Sequence, residues 1–351
     1  SIYDQAGNAA ATSQSNNTAA LNEKVPPIIS GTTVNSANSL LTVTFAENVY
    51  TATGGSGILE VGDFALSISG GVATIGAATP TSISKTSQSV WVLGFSTSGI
   101  ANGSETISIV PAAGNSIYDA ADNAAATSQS NNTAALNEKV VPIITGTTVN
   151  SANSQVTVTF AENVYNATGA TGNLEVGDFA LSISGGVATI GSATPTSIVS
   201  ATPTVWVLDF STSVPANGAE TIAVVPAANN SIYDAADNAA TTSQSNNTSS
   251  LNDLAVPTIT GTTVNSTNSE LTVTFSENVY SAISASGDLE VGDFALSISG
   301  GVATPVSATP TSIVKTSQTV WVLGFSTSVP ANGAETITVV PVSNSIYDGS
   351  G

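Results

Sequence analysis

The sequence predicts an all-β chain of three tandem antiparallel β-sandwiches that form a rod, and three observations support this fold class. Landmark residues such as Phe45, Phe160 and Phe275 recur every 115 residues, which is the length of a whole domain. Apolar residues alternate with Ser and Thr, and no segment carries a sustained 3.6-residue apolar stripe. Turn signals separate about seven short strands in each repeat, which is typical of immunoglobulin-like sandwiches.

The middle repeat shows how the individual elements are predicted. Gly185 and Gly186 predict a turn, and Trp206, surrounded by apolar residues, predicts a core anchor rather than a sugar-stacking platform. Alternation or apolar runs predict strands over residues 155–160, 179–184, 187–190, 205–210 and 221–225, the last closed by Pro226.

The links between repeats are short and end at proline, so they predict stiff connections rather than flexible spacers. They comprise residues 21–27, 136–142 and 251–257. The predicted organisation is an N-terminal donor-like strand segment (1–24) followed by three immunoglobulin-like repeats (25–140, 141–255 and 256–351), the third without its last strand.

The composition restricts function more than it defines it. The chain has 24 acidic residues, four Lys and a net charge of −20, which disfavours nucleic acid as a partner. No apolar run is long enough for membrane insertion. Cys and His are absent, so the common catalytic triads lack their residues and transition-metal sites lack their usual ligands. We therefore expect no enzyme activity.

The ends of the chain are out of phase with the repeat. Four copies of Ser-Ile-Tyr-Asp (1–4, 116–119, 231–234 and 345–348) flank only three repeat bodies. The third body therefore lacks a final strand, and residues 1–24 resemble a final strand without a body. Donation of this segment to another copy would give a head-to-tail homopolymer. Two alternatives stay open: the chain is a window of a longer repeat protein, or residues 1–24 are disordered beside a smaller third sandwich.

Three motifs carry a family resemblance: Phe275-Ser-Glu-Asn-Val279, Gly292-Asp-Phe-Ala-Leu296 and Ile2-Tyr-Asp-Gln-Ala-Gly-Asn8. They resemble bacterial immunoglobulin-like repeats of S-layer-associated proteins and large adhesins, over nearly the whole chain. The resemblance implies stalks or repeat arrays whose junctions are stiffened by Ca²⁺. Two copies of the loop depart from the motif, with Asp122 and Asp237 at the position of Gly7.

Acidic residues recur at the predicted junctions and can provide the oxygen ligands that Ca²⁺ needs. The alternative is that they are solvated turn and cap residues, and Glu175 and Asp178 in particular fit a cap on a short helical turn before Phe179. The predicted metal ligands are Asp4, Glu23, Glu47, Asp119, Asp122, Asn123, Glu138, Glu162, Asp234, Asp237, Asn238, Asp253 and Glu277.

The expected function is that of a structural subunit of an extracellular bacterial filament, located outside the cell or at its surface. The alternative is the stalk region of a large calcium-dependent surface adhesin. Asn-x-Ser/Thr sequons, which are acceptor sites for glycans, occur at Asn16, Asn102, Asn131, Asn166, Asn229, Asn246 and Asn265. The alternative is that these patterns arise by chance in a chain this rich in Asn, Ser and Thr.

Overall fold

The computed structural model describes residues 1–350, which form β-strands, turns and three 3₁₀ helices. The chain divides into two compact units, Ser1–Val141 and Pro142–Gly351. The first unit contains one sandwich and the second contains two, which we call the first, second and third sandwich in chain order. Among the described residues, no helix is long and apolar enough to cross a membrane.

All strand pairs in the first sandwich are antiparallel, in sheets of order β1-β2-β6-β5 and β3-β8-β9 with a small β4-β7 pair. The strands are β1 Ile29–Val34, β2 Leu40–Phe45, β3 Phe64–Ser69, β4 Thr74–Ile75, β5 Ser82–Lys85, β6 Val90–Gly94, β7 Thr97–Ser98, β8 Thr106–Pro111 and β9 Thr133–Ala135.

The second sandwich repeats the two main sheets as β10-β11-β14-β13 and β12-β15-β16. Its strands are β10 Ile144–Val149, β11 Gln155–Phe160, β12 Phe179–Ser184, β13 Ser197–Thr202, β14 Val205–Asp209, β15 Thr221–Pro226 and β16 Thr248–Ser250.

The third sandwich differs in one sheet. Its four-stranded sheet, β17-β18-β21-β20, matches the others, but its second sheet contains only the pair β19-β22 within residues 1–350. The strands are β17 Ile259–Val264, β18 Glu270–Phe275, β19 Phe294–Ser299, β20 Ser312–Lys315, β21 Val320–Gly324 and β22 Thr336–Pro341.

Aromatic residues join the two sheets of each sandwich. The rings of Phe160 and Phe179, from opposite sheets, lie 6.4 Å apart between centroids in a tilted arrangement. Trp206 is 3% exposed, which confirms its predicted position in the core. The facing, antiparallel sheets around one core confirm the predicted all-β, immunoglobulin-like class.

A 3₁₀ helix precedes β3, β12 and β19, at Val61–Asp63, Val176–Asp178 and Val291–Asp293. In the second sandwich the Glu175 amide donates to the Asp178 carboxylate at 2.7 Å, and the Asp178 amide donates to the Glu175 carbonyl at 3.0 Å. The predicted capping role is therefore confirmed for the Asp178 carboxylate, whereas Glu175 takes part through its backbone.

The predicted strand over residues 187–190 is wrong. Only Ile190 makes an isolated bridge, with Thr212, because the Glu220 carboxylate accepts the amides of Val187 and Ala188 in place of a neighbouring strand. Two ends also differ from the prediction: β14 stops before Phe210, and β15 includes Pro226. Proline is tolerated at a strand end because little pairing continues beyond it.

Candidate functional sites: carboxylate clusters and an open groove

Three carboxylates converge in the second unit. Asp253 lies in the link after β16, Glu277 follows β18, and Asp348 follows β22. One oxygen of each lies within 4.8 Å of the others, and Asp348 is only 7% exposed. Burial raises the pKa of Glu277, and the charges of Asp253 and Asp348 raise it further. The site thus concentrates negative charge that a cation would relieve.

Asp253 and Glu277 belong to the predicted ligand set, but Asp348 does not. The missed signal was present in the sequence, because Asp348 ends the fourth copy of Ser-Ile-Tyr-Asp and matches Asp119 and Asp234. The third copy of the link also carries Leu254 where the earlier links carry Lys24 and Lys139. No lysine therefore follows the acid in this link.

The matching residues of the first unit are Glu23, Glu47 and Asp119, and here an amide joins two of them. The Asn123 side chain donates to Asp119 Oδ2 at 2.7 Å and also to Glu23 Oε2. Burial raises the pKa of Glu47, and Asp119 and Glu23 add to the shift. Burial also opposes ionisation of Asp119, but the Asn123 and Ala121 hydrogen bonds outweigh it and lower its pKa.

The remaining predicted ligands are distributed differently. Glu138 belongs to the first unit, and Glu162 and Asp234 belong to the second. Asp234 is buried, and its Oδ1 accepts the amides of Ala236 and Asn238 at 2.8 Å each, as Asp119 does in its own loop.

Asp122 and Asp237, the aspartates at the position of Gly7, do not point to the carboxylate clusters. Asp122 accepts the Gly54 amide, and Asp237 accepts the Gly169 amide at 2.5 Å, so each fastens two loops of one sandwich. Both adopt a positive φ, 69° and 66°. Asp4 is fully exposed and bonds within its own loop to Ala6 and Asn8, and the Asn8 side chain is the main cause of its lowered pKa.

The donor set in the second unit fits Ca²⁺. The ion prefers oxygen ligands at 2.3–2.6 Å, so two ligands on one ion lie at most about 5 Å apart. The 4.8 Å limit on the three carboxylate oxygens is compatible with this geometry. Asp253, Glu277 and Asp348 would hold the ion, which would neutralise charge and tie the link to the segments that follow β18 and β22.

A second feature is the closure of the first and second sandwiches. After β9 the chain buries Leu136, 3% exposed, and after β16 it buries Leu251, also 3% exposed. The Leu136 amide donates to the Glu105 carbonyl and the Leu251 amide to the Glu220 carbonyl, each at 2.9 Å. The link is thereby fixed across the end of each core.

The third sandwich has a groove of about 330 Å³ at the corresponding place. Its apolar lining includes Val264, Ile298, Phe325, Ala331 and Ile337. Ile107 and Ile222, the counterparts of Ile337, are 0% exposed, whereas Ile337 is only partly buried. Part of this core therefore faces solvent within residues 1–350.

Residues 1–24 form no named strand and are exposed throughout. Tyr3 and Ala9 make an isolated bridge that closes a small hairpin. Leu21, whose sequence context matches that of Leu136, is 96% exposed. Leu21 is therefore exposed in the N-terminal segment, whereas its counterpart Leu136 is buried at the end of the first sandwich's core.

Sequence reasoning also missed a structural role for Glu105, Glu220 and Glu335. Glu105 is 0% exposed and accepts the amides of Val72, Ala73 and Asn102 at 2.8, 2.9 and 3.0 Å. Burial opposes its ionisation, but these bonds outweigh burial and lower its pKa to about 2. The carboxylate therefore organises the turn after β3.

No known protein family and no curated protein matches the chain. Among solved structures it is similar to the Escherichia coli adhesin FdeC (17% identity, 92% of this chain and 93% of that chain, TM-score 0.27). It is also similar to the titin I-band fragment I67–I69 (10%, 90% and 98%, 0.30) and to the bacterial integrin-binding protein invasin (11%, 90% and 56%, 0.23).

Proposed function

We propose that this chain is a structural subunit of an extracellular bacterial filament that assembles head to tail. Residues 1–24 of one copy would complete the third sandwich of the next. The observation that carries the proposal is the open groove beside β22, at the place that the chain's own link fills in the first and second sandwiches. An uncovered sheet edge with apolar surface is unfavourable in water, and strand addition repairs it.

The apolar match supports this occupant. In the first sandwich Thr133, Ala134 and Ala135 pair with Ser108, Ile107 and Thr106 of β8. Thr18, Ala19 and Ala20 are the same three residue types in the N-terminal segment, and Leu21 follows them. Leu21 would enter the groove as Leu136 does, and burial of one leucine contributes about 1.5–3 kcal/mol.

The polar match extends over the same segment. The Ile144 amide donates to Gln244 Oε1 at 2.8 Å, and the Thr147 hydroxyl donates to the Asn246 carbonyl at 2.9 Å. The third sandwich keeps the corresponding Ile259 and Thr262, and the N-terminal segment keeps the corresponding Gln14 and Asn16. Both of these hydrogen bonds thus have a partner available in another copy.

Space for the incoming acid supports the same register. A Cβ on Gly103 would lie 3.1 Å from Glu138 Cβ, and one on Gly218 would lie 3.3 Å from Asp253 Cβ. A Cβ on Gly333, the third glycine of the set, meets nothing within 4 Å. Glu23 of an incoming segment would occupy that space.

Calcium is a second part of the proposal. The carboxylates of Asp253, Glu277 and Asp348 would bind Ca²⁺ and fix the link before the third sandwich. Extracellular modules bind this ion at about 10⁻⁴–10⁻³ M, which suits a partly buried acidic cluster in a filament outside the cell. The strongly acidic composition also keeps a long polymer soluble.

Deletion of residues 1–24 tests the assembly. We expect the full chain to form filaments, visible by negative-stain electron microscopy and pelleted by ultracentrifugation, and the truncated chain to stay monomeric. The truncated chain should keep its three sandwiches, since residues 1–24 are exposed in the free chain. Filaments of unchanged length and yield after the deletion would contradict the proposal.

A second candidate is the stalk of a large calcium-dependent surface adhesin. The observation that favours it is that the chain's own continuation closes the first and second sandwiches. Under this function a following repeat closes the third sandwich. The full chain would then stay monomeric at all concentrations, because residues 1–24 of another copy would not bind in the groove.

A further inference from the structure

A hairpin that follows β8 in the first sandwich and β15 in the second is only partly present in the third sandwich within residues 1–350. In the first sandwich Tyr118 bridges Ala124, and the Ala125 amide donates to the Ile117 carbonyl at 2.8 Å. Ala125 is 0% exposed, and the equivalent Ala240 of the second sandwich is also 0% exposed. Both arms of this hairpin are therefore part of a closed sandwich.

The third sandwich has only the first arm of the hairpin within residues 1–350. Tyr347 and Tyr280 exchange two backbone hydrogen bonds, at 2.8 and 2.9 Å, so this arm is already seated. A second groove, of about 320 Å³, lies beside it. Val256, Pro257, Pro341, Ile346, Tyr347 and Asp348 line this groove.

An equivalent of the second arm lies in residues 8–10, where it forms a hairpin with residues 2–4. The Ala10 amide donates to the Ile2 carbonyl at 2.8 Å, and the Asn8 side chain donates to Asp4 Oδ2 at 2.9 Å. All of these residues are exposed. Residues 1–4 thus hold the second arm in the free chain.

We propose that residues 8–10 of the incoming subunit leave this hairpin and become the second arm of the third sandwich's hairpin. The proposal rests on the proposed function and specifies its docking surface. The Ala10 amide passes from the Ile2 carbonyl to the Ile346 carbonyl, and Asn8 passes from Asp4 to Asp348. Residues 1–4 thus pair with residues 8–10 only in the free chain and are released on assembly.

Burial favours this exchange. The bonds of the Ala10 amide and the Asn8 side chain are re-formed on the third sandwich, while the bond from the Ala6 amide to Asp4 Oδ1 is replaced by one to water. The Asn8 side chain moves from an exposed hairpin to a carboxylate that is 7% exposed, where competition from water is weaker. Ala10 also becomes buried, as Ala125 is. In the opposite exchange, residues 1–4 would have to displace the arm 345–348, which is already seated on Tyr280.

Deletion of residues 1–4 alone tests the proposal. We expect this chain to form filaments at the same or a lower critical concentration than the full chain, since no hairpin has to open. A rise of about tenfold or more, equivalent to about 1.4 kcal/mol, would overturn the proposal while filaments of the full chain preserve the proposed function. If the full chain forms no filaments, both are wrong.

Disulfide trapping gives a second measurement in a chain without native cysteine. The pair A9C and Y347C should link neighbouring subunits in filaments, because antiparallel partners lie within disulfide distance. The matched control A9C with Y233C should not, since Ala239 already occupies that position in the second sandwich. Subunits linked through Y3C and Y280C instead would show that residues 1–4 dock, and would overturn the proposal.

Discussion

The side chain of Asn153 and the backbone of Asn252 exchange two hydrogen bonds. The Asn252 amide donates to Asn153 Oδ1 at 2.9 Å, and Asn153 Nδ2 donates to the Asn252 carbonyl at 2.7 Å. Asn153 is 5% exposed. Asn38 and Asn137 make the same exchange in the first sandwich, whereas the matching Asn268 lines the open groove of the third. These hydrogen bonds fasten the closing segment, residues 248–252 in the second sandwich, to the core.

Substitution N153A should loosen the closing segment of the second sandwich. It removes the two hydrogen bonds to the backbone of Asn252, each worth about 0.5–1.5 kcal/mol. The free energy of opening that amide hydrogen exchange measures over Thr248–Ser250 should fall by the same amount. The matched variant N268A should leave exchange in the free chain unchanged and raise the critical concentration of filaments. Equal effects of the two variants on the free chain would contradict this assignment.

Substitution L21D should abolish filament formation without changing the thermal unfolding of the free chain. Leu21 is 96% exposed in the free chain, but in the groove an aspartate would be buried without a partner. The control is A20D, because the equivalent Ala135 is exposed in the closed first sandwich. Sedimentation of both variants measures assembly. Filaments of L21D at the wild-type critical concentration would rule out burial of Leu21.

Glu105 predicts a loss of stability in acid. Its pKa is lowered to about 2 from an ordinary 4.5, so its ionised form stabilises the fold above pH 4.5, and this contribution is lost as the pH falls from 4.5 to 2. In E105Q the amides of Val72 and Ala73 should exchange faster at neutral pH, with a weaker dependence on pH in that window. Substitution E270Q, at an exposed acid, is the control. An unchanged acid profile in E105Q would contradict the role of this carboxylate.

Glu277 predicts the opposite dependence on pH in the absence of metal. Its pKa is raised, so the folded chain binds a proton more readily than the unfolded chain, and stability increases as the pH falls from neutral towards the ordinary range of glutamate. Substitution E277Q should raise the unfolding midpoint in chelator at neutral pH and remove this part of the profile. A lower midpoint of E277Q in chelator would show that the repulsion is absent.

Calcium should reverse the effect of that substitution. Millimolar Ca²⁺ should raise the unfolding midpoint of the wild-type chain, because an ion bound only by the folded state stabilises it by mass action. The rise should be much smaller in E277Q and unchanged in E270Q. Differential scanning calorimetry in Ca²⁺ and in chelator measures both. Identical wild-type midpoints in the two solutions would exclude a structural calcium ion.

Local patterns in the sequence predicted most strands of the fold. The alternation in residues 155–160 and 179–184 matches β11 and β12 because successive side chains of a strand must point to opposite faces. The strand predicted over residues 187–190 failed because a carboxylate 33 residues away from Val187, that of Glu220, takes the backbone amides. No local pattern reports such a contact.

The sequence by itself determined the repeat, the all-β class, the core tryptophans and the mismatch between the ends and the repeat. Only the tertiary structure decided which acids meet: it brought Asp348 to Asp253 and Glu277, and it turned Asp122 towards Gly54 instead. It also decided that Leu136 is buried and Leu21 is exposed in the same sequence context. Strand alternation is a local steric property, whereas burial and charge clustering depend on which distant segments the folded chain brings together.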